Sequence, residues 1–100
     1  MKVRKTKDLQ RVLLSKGFEE RPVKKHHVFY VLHANGKKQA VSTYLSHGNQ
    51  DYDKKLMGLI RKQLKFPDNQ KLDDFFDCPL SKEQYVEMLI EIGEIEREDS

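Results

Sequence analysis

The spacing of apolar residues predicts that the chain begins with a helix. Leu9, Val12 and Leu13 recur at helical spacing and therefore share one face. Thr6 is a residue type that caps helix N-termini, and Gly17 suits the left-handed position that follows a helix C-terminus. We therefore expect a first helix that is capped by Thr6 and ends just before Gly17.

Stretches rich in β-branched and aromatic residues follow this helix and predict strands at residues 18–25, 26–33 and 37–44. Pro22 lacks the N–H group that a central strand needs, which places the first of these strands at a sheet edge. Asn35 and Gly36 both tolerate positive φ and are a strong hairpin signal between the second and third strands. An antiparallel three-stranded sheet is therefore expected.

Helical spacing returns in the second half of the chain. A helix is expected over about residues 52–64, with its buried stripe at Leu56, Leu59, Ile60 and Leu64. A short helix should end before Pro79, and Ser81 with Gln84 has the spacing of a capping box that opens a last helix. The order of elements, with helices on one face of a sheet, is an α+β plan.

Charge is unevenly distributed along the 100 residues. Residues 1–65 hold 16 Lys and Arg against 5 Asp and Glu, a net +11, whereas residues 66–100 hold 3 against 11, a net −8. A basic block of this size is typical of contact with a polyanion such as RNA, because lysine and arginine displace the counterions of phosphates. Two alternatives remain open. The basic face could simply be solvated, or the acidic half could fold over it, in the same chain or in a homodimer, and mask it.

The sequence has no feature of a membrane span or of a secretion signal. No apolar run approaches the roughly 18 to 20 residues that a membrane helix needs. The first ten residues carry charge but no apolar core segment. Cys78 is the single cysteine, which leaves no internal disulfide and fits a reducing cytoplasm. We expect a soluble, cytoplasmic protein of one globular domain that does not enter a membrane.

Two adjacent histidines open the second predicted strand and are the first candidates for chemistry. His26 and His27 would project to opposite faces of a strand, and their neighbours complete no ligand set, so no metal site is expected. An imidazole exposed beside Lys24 and Lys25 could transfer protons near neutral pH while the lysines hold a phosphodiester. The alternative is a pair of ordinary strand residues, and the pattern alone does not decide which histidine is exposed.

Further candidates for phosphate binding surround the second predicted helix. Ser46 and His47 precede its N-terminus, where free backbone N–H groups attract anions. Lys54 and Lys55 lie near its start and could follow a nucleic-acid backbone. The alternatives are a loop that merely caps the helix and a solvated polar face.

The basic half of the chain resembles the HicA-type (YcfA-like) mRNA interferase toxins of bacterial and archaeal toxin–antitoxin pairs. The resemblance covers roughly residues 3–65 and is carried by KTKDLQRVLLSKGFEERPVKKHHVFYVL and GKKQAVSTYLSHGNQDYDKKLMGLIRKQL. It implies a double-stranded-RNA-binding-like α-β-β-β-α fold for residues 1–66. Residues 67–100 would then be an acidic helical extension that packs on the same domain.

The resemblance also implies a site and a reaction. The family has Gly-Ser-x-His or Gly-Ser-His-His before the second strand, with the last histidine catalytic, and this histidine corresponds to His27. Lys24 and Lys25 replace the family's Gly-Ser. His27 would act as general acid or base while a ribose 2′-hydroxyl attacks the adjacent phosphorus, with no metal or cofactor. The residues expected to bind RNA are Lys24, Lys25, His26, Ser46, His47, Lys54 and Lys55.

The partners implied by the resemblance are mRNA and a HicB-like antitoxin that covers the histidine. The replacement of Gly-Ser by two lysines favours a different hypothesis, a non-catalytic module that binds structured RNA and cuts nothing.

Overall fold

The computed structural model describes residues 2–24, 27–46, 50–77 and 79–97. Four helices and two small antiparallel sheets make up this part of the chain, which is of the α+β class. In chain order, the elements are β1 (Arg4–Lys5), α1 (Thr6–Ser15), β2 (Phe18–Lys24), β3 (His27–Ala34), β4 (Lys37–Ser46), β5 (Asp51–Tyr52), α2 (Lys54–Gln63), α3 (Asn69–Phe76) and α4 (Lys82–Glu91).

The main sheet has the strand order β2-β3-β4 and is antiparallel throughout. The predicted edge position of the strand with Pro22 is confirmed, since β2 is an outer strand. The hairpin turn is confirmed as well, with φ +55° at Asn35 and φ +74° at Gly36. Gly17 has φ +92° directly after α1, as predicted for a residue that ends a helix.

The helices cover one face of the main sheet. Alternate residues of β3 and β4 enter a single apolar core that also contains residues of all four helices. From β3 these residues are Tyr30, Leu32 and Ala34. The residues between them are in phase with His27 and belong to the opposite face of the sheet. His27 therefore belongs to the face of the sheet that lies opposite the core.

The acidic C-terminal segment completes the same core. The rings of Phe18, Phe75 and Tyr85 are in mutual contact, with centroid separations of 4.9 Å between Phe75 and Tyr85 and 6.1 Å between Phe18 and Tyr85. The Tyr85 hydroxyl donates a hydrogen bond to the Leu64 carbonyl, and burial raises the pKa of this tyrosine. Lys16, which is itself buried, donates from Nζ to the carbonyl oxygens of Phe75 in α3 and of Leu80 just before α4. The extension is thus held by α1, by β2 and by the residues that follow α2.

The cap of α1 differs from the prediction. Thr6 is the first helical residue rather than the cap, and its hydroxyl donates to the Gln50 carbonyl. The backbone N–H of Gln50 donates back to the same hydroxyl. The Thr6 side chain therefore joins the helix to the segment before β5, a long-range contact that no local sequence signal contains.

The buried stripe of α2 also differs from the prediction. Met57, Ile60 and Leu64 are buried, whereas Leu59 is 49% exposed. Apolar residues occupy a wide face of this helix, so the predicted stripe and the observed one both have helical spacing around Ile60. Packing against β4 selects the side with Met57. None of the helices in the described part of the chain is both long and apolar enough to span a bilayer.

Candidate functional site

A groove of about 220 Å³ lies between α2 and the end of the sheet where β3 begins and β4 ends. Its aromatic and polar walls come from all four neighbouring elements and consist of His27, Tyr44, Ser46, Tyr52 and Gln63. The aliphatic wall comes from successive turns of α2 and consists of Leu56, Leu59 and Ile60. The groove therefore joins an imidazole, hydroxyl and amide groups to an apolar surface.

His27 is the first residue of β3 and is exposed to solvent. Its partner in the β3–β4 ladder is Ser46, the last residue of β4. In the β2–β3 ladder its partner is Lys24, after an irregularity in the pairing that follows Pro22. The structure thus brings together His27, Ser46 and the backbone of Lys24 from the predicted site.

The His27 imidazole is held by an aromatic neighbour. It packs edge to face against the Tyr44 ring, with centroids 5.0 Å apart and ring planes at 90°. Tyr44 in turn contacts Phe29 at 5.7 Å. Within the described residues, no carboxylate forms an ion pair with His27, whereas His33 further along β3 lies 2.9 Å from the Glu19 carboxylate. Ring packing, rather than a charged partner, orients His27.

Two hydrogen bonds fix the polar groups of the groove. The backbone N–H of Ser46 donates to the Tyr52 hydroxyl oxygen at 2.7 Å. The Thr43 hydroxyl donates to Oε1 of Gln63 at 2.5 Å. Tyr52 and Gln63 both accept through their side-chain oxygen in these bonds. The Tyr52 hydroxyl hydrogen and the Gln63 amide hydrogens are therefore the groups that can donate to a ligand.

The N-terminus of α2 carries positive side chains but is already capped. Lys54 and Lys55 form its first turn and are exposed. The Asp53 carboxylate accepts from the backbone N–H of Leu56 at 2.9 Å and so occupies the position where an anion would bind. On this side of the groove the groups that can contact phosphate are ammonium groups rather than backbone N–H groups.

The remaining predicted residues are not placed by the structure. Lys25, His26 and His47 lie outside the described residues, and so does Cys78. In the described ranges, no three His, Cys, Asp or Glu side chains lie close enough together to hold a metal ion.

The sequence-based prediction missed Tyr44, Tyr52, Gln63 and the exposed position of Leu59. For Tyr44 a signal existed, because a two-residue turn at Asn35-Gly36 pairs its strand with that of His27. Tyr52 and Gln63 had none, since they reach the groove through tertiary packing.

Comparison of the chain with protein-family models, with curated proteins and with solved structures gives no match.

Proposed function

We propose that this protein is a HicA-type, metal-independent endoribonuclease that uses His27 as general acid or base. The observation that carries the proposal is the position of His27, an exposed imidazole on the wall of a groove that also contains hydroxyl and amide donors. The +11 net charge of residues 1–65 supplies the attraction for RNA. The α1-β2-β3-β4-α2 order supports a double-stranded-RNA-binding-like fold within this proposal.

In the proposed reaction, a ribose 2′-hydroxyl attacks the adjacent phosphorus and the bond to the 5′-oxygen breaks. As general base, His27 accepts the proton of the 2′-hydroxyl while water protonates the leaving 5′-oxygen. As general acid, it donates a proton to that oxygen while water accepts the proton of the 2′-hydroxyl. Lys54 and Lys55 contact flanking phosphates, and Lys24 with Lys25 stands where the family has Gly-Ser. The products are a cyclic phosphate and a 5′-hydroxyl. A HicB-like antitoxin that covers His27 would hold the enzyme inactive, and mRNA would be its substrate.

The test is cleavage of a long RNA in EDTA by the wild-type chain and by His27→Ala. Loss of a general acid or base lowers the rate roughly 10²- to 10⁴-fold. We therefore expect 5′-hydroxyl products from the wild type and almost none from the variant. His33→Ala is the matched control, because His33 lies on the same strand and face but pairs with Glu19 outside the groove. Normal cleavage by a folded His27→Ala variant overturns the proposal.

A second function is favoured by one observation. Because no carboxylate in the described part of the chain pairs with His27, the imidazole lacks the charged partner that orients many catalytic histidines. The alternative is a module that binds RNA and does not cut it. Salt-dependent RNA binding without products, equal in the wild type and in His27→Ala, is the outcome that distinguishes this function.

A further inference from the structure

We propose that the groove beside His27 binds one unstacked RNA base. In this arrangement Tyr44 and Leu59 form apolar walls, while Gln63 and Tyr52 donate hydrogen bonds to the edge of the base. The inference rests on the proposed RNA function and adds a recognition element to it, namely a base subsite that directs a single-stranded segment toward His27.

The size and surface of the groove suit a single flat group. Its volume of about 220 Å³ is below the roughly 300 to 1,000 Å³ of pockets for larger ligands. Tyr44 is 41% exposed and Leu59 is 49% exposed, so this part of the surface presents apolar area to water. Aromatic side chains in RNA-binding proteins commonly receive unstacked bases in this way.

Tyr44 is positioned before any ligand arrives. His27 packs against it at 5.0 Å and Phe29 at 5.7 Å, both with strongly inclined ring planes. Two inclined neighbours restrict the rotation of the tyrosine ring. A base that stacks on Tyr44 therefore meets a wall that is already ordered, which reduces the entropy lost on binding.

The polar groups of the groove suit the edge of a base. The Gln63 amide oxygen is engaged by Thr43, and the Tyr52 oxygen is engaged by the Ser46 N–H group. The hydrogens that remain on these two side chains are donors, so the matching base edge must present acceptors. Every RNA base presents them, uracil, cytosine and guanine through carbonyl oxygens and adenine through ring nitrogens. The groove should therefore accept a base of either class, with stacking as the main source of affinity.

The surrounding charge favours RNA over a protein side chain as the occupant. Lys54 and Lys55 begin the same helix that supplies the aliphatic wall and are exposed, so a phosphate next to a bound base at this end of the groove can meet an ammonium group. His27 lies on the wall of the groove, within reach of the ribose of the bound nucleotide. A partner protein would have to match the ammonium groups of Lys54 and Lys55 with carboxylates.

The experiment compares 12-nucleotide 2′-fluoro oligonucleotides, which lack the attacking hydroxyl, by fluorescence anisotropy with the full chain. The probes are oligo-U, oligo-A and an abasic oligomer of equal charge. If a base stacks in the groove, the wild type binds oligo-U roughly 5- to 100-fold more tightly than the abasic oligomer. Oligo-A should likewise bind more tightly than the abasic oligomer, because adenine also stacks and presents acceptors.

Three groove variants and one matched control complete the test. Tyr44→Ala and Leu59→Ser should bring the affinity ratio of oligo-U to abasic oligomer close to one. Gln63→Leu should lower the affinity for oligo-U and for oligo-A relative to the abasic oligomer, because the base edge loses a hydrogen-bond donor. Leu14→Ser is the control, because Leu14 is 45% exposed on α1, lies outside the groove and should leave both ratios unchanged. Leu59→Ser keeps the test decisive even if Tyr44→Ala fails to fold.

The outcomes separate this inference from the proposed function. Equal affinity of the wild type for oligo-U and for the abasic oligomer overturns the base subsite while RNA binding stands. A base preference that survives in Leu59→Ser overturns it too, and leaves the groove to a protein side chain. No binding of any oligomer at low salt overturns both.

Discussion

Arg4 is a buried cation that links the basic N-terminal half to the acidic extension. Its side chain is 8% exposed and donates to Asp73 at 2.9 Å and to Asp77 at 3.0 Å. The guanidinium also lies over the ring of Phe76. The hydrogen bond from Arg4 holds the pKa of Asp77 below its ordinary value of 3.8, although partial burial opposes this shift. Loss of this one side chain removes a charge-assisted hydrogen bond from each of two carboxylates.

Arg4→Met should destabilise the chain by about 1 to 3 kcal/mol at neutral pH, because the two carboxylates lose charge-assisted hydrogen bonds. Since the pKa of Asp77 is depressed in the folded state, its contribution is complete above 3.8 and is lost as the pH falls through the folded value. The wild type and the variant should therefore converge in stability below pH 3.8. Urea unfolding across this range measures both effects.

The matched control for this prediction is Lys5→Met. Lys5 is the next residue, but it is exposed and pairs with an exposed Asp51 at 3.4 Å. Surface pairs of this kind contribute about 0 to 1 kcal/mol. An equally large loss in both variants, or a stability gap for Arg4→Met that does not narrow in acid, contradicts the assigned role of Arg4.

Two glycines should respond to alanine with opposite signs. Gly58 lies inside α2 and Gly36 lies in the hairpin turn at φ +74°, and an added Cβ meets open space at both. Gly58→Ala should stabilise the chain by about 0.5 to 1 kcal/mol, since alanine restricts the unfolded chain and favours the helix. Gly36→Ala should cost about 1 to 2 kcal/mol from backbone strain alone. Thermal unfolding of the two variants tests this, and a shared sign refutes it.

Among the elements, α4 carries the most complete capping arrangement. The Gln84 N–H donates to the Ser81 hydroxyl at 3.1 Å, and the Ser81 N–H donates to the Gln84 side chain at 2.8 Å. Ser81→Ala should cost about 0.5 to 2 kcal/mol, because a helix N–H loses its acceptor. Ser81→Asp retains an acceptor and should stay near wild type. Urea unfolding followed by circular dichroism compares them, and equal losses in both contradict the capping role.

The elements that could be predicted from the sequence are those specified by local signals. The Asn35-Gly36 hairpin, the glycine after α1 and the capping box of α4 each depend on residues within a few positions of one another. The pairing of β1 with β5 could not be predicted, because each strand has two residues and no periodicity. The burial of Arg4 and Lys16 was equally hidden, since their partners come from α3 and the turn that follows it.

The pairing register of β3 and β4 shows which part of the site could be predicted from the sequence. A regular hairpin from the Asn35-Gly36 turn would place His27 opposite Tyr44. An irregularity between Val31 and His33 shifts the ladder by two residues, so His27 faces Ser46 and Tyr44 faces Phe29. A shift of two keeps every side chain on its face. The sequence could therefore indicate the group of residues around His27 but not their pairing.

At the scale of the whole molecule, the acidic extension belongs to the fold, and its described residues, 67–77 and 79–97, do not line the groove. Phe75 and Tyr85 lie in the same core as the sheet, and α3 binds the N-terminal region through Arg4. In the part of the chain that the structure describes, the residues that line the groove come from positions 27–63. Deletion of residues 67–100 would remove part of the core and would not test masking. An effect of the described extension on RNA bound in the groove therefore acts through its electric field, and direct contact is limited to RNA that extends beyond the groove.

Charge variants test that field without damage to the core. Glu83, Glu91 and Glu94 are exposed, and replacing all three by Gln removes three negative charges. The molecule extends over 42 × 29 × 19 Å, and the screening length falls from about 30 Å at 0.01 M salt to about 8 Å at 0.15 M. RNA affinity of the triple variant should therefore rise severalfold at low salt and return to the wild-type value at physiological salt.

The control is the triple Glu→Asp variant, which keeps the charge and should bind RNA as the wild type does. A gain in affinity of the Gln variant that persists at 0.15 M salt, where screening is about 8 Å, would mean that these carboxylates touch the RNA path directly. No gain at any salt concentration would mean that the −8 charge of the extension is neutralised locally by partners such as Arg4. Only a gain restricted to low salt indicates that the extension weakens RNA association at long range, because charges that do not contact the RNA act on it only while the screening length is long.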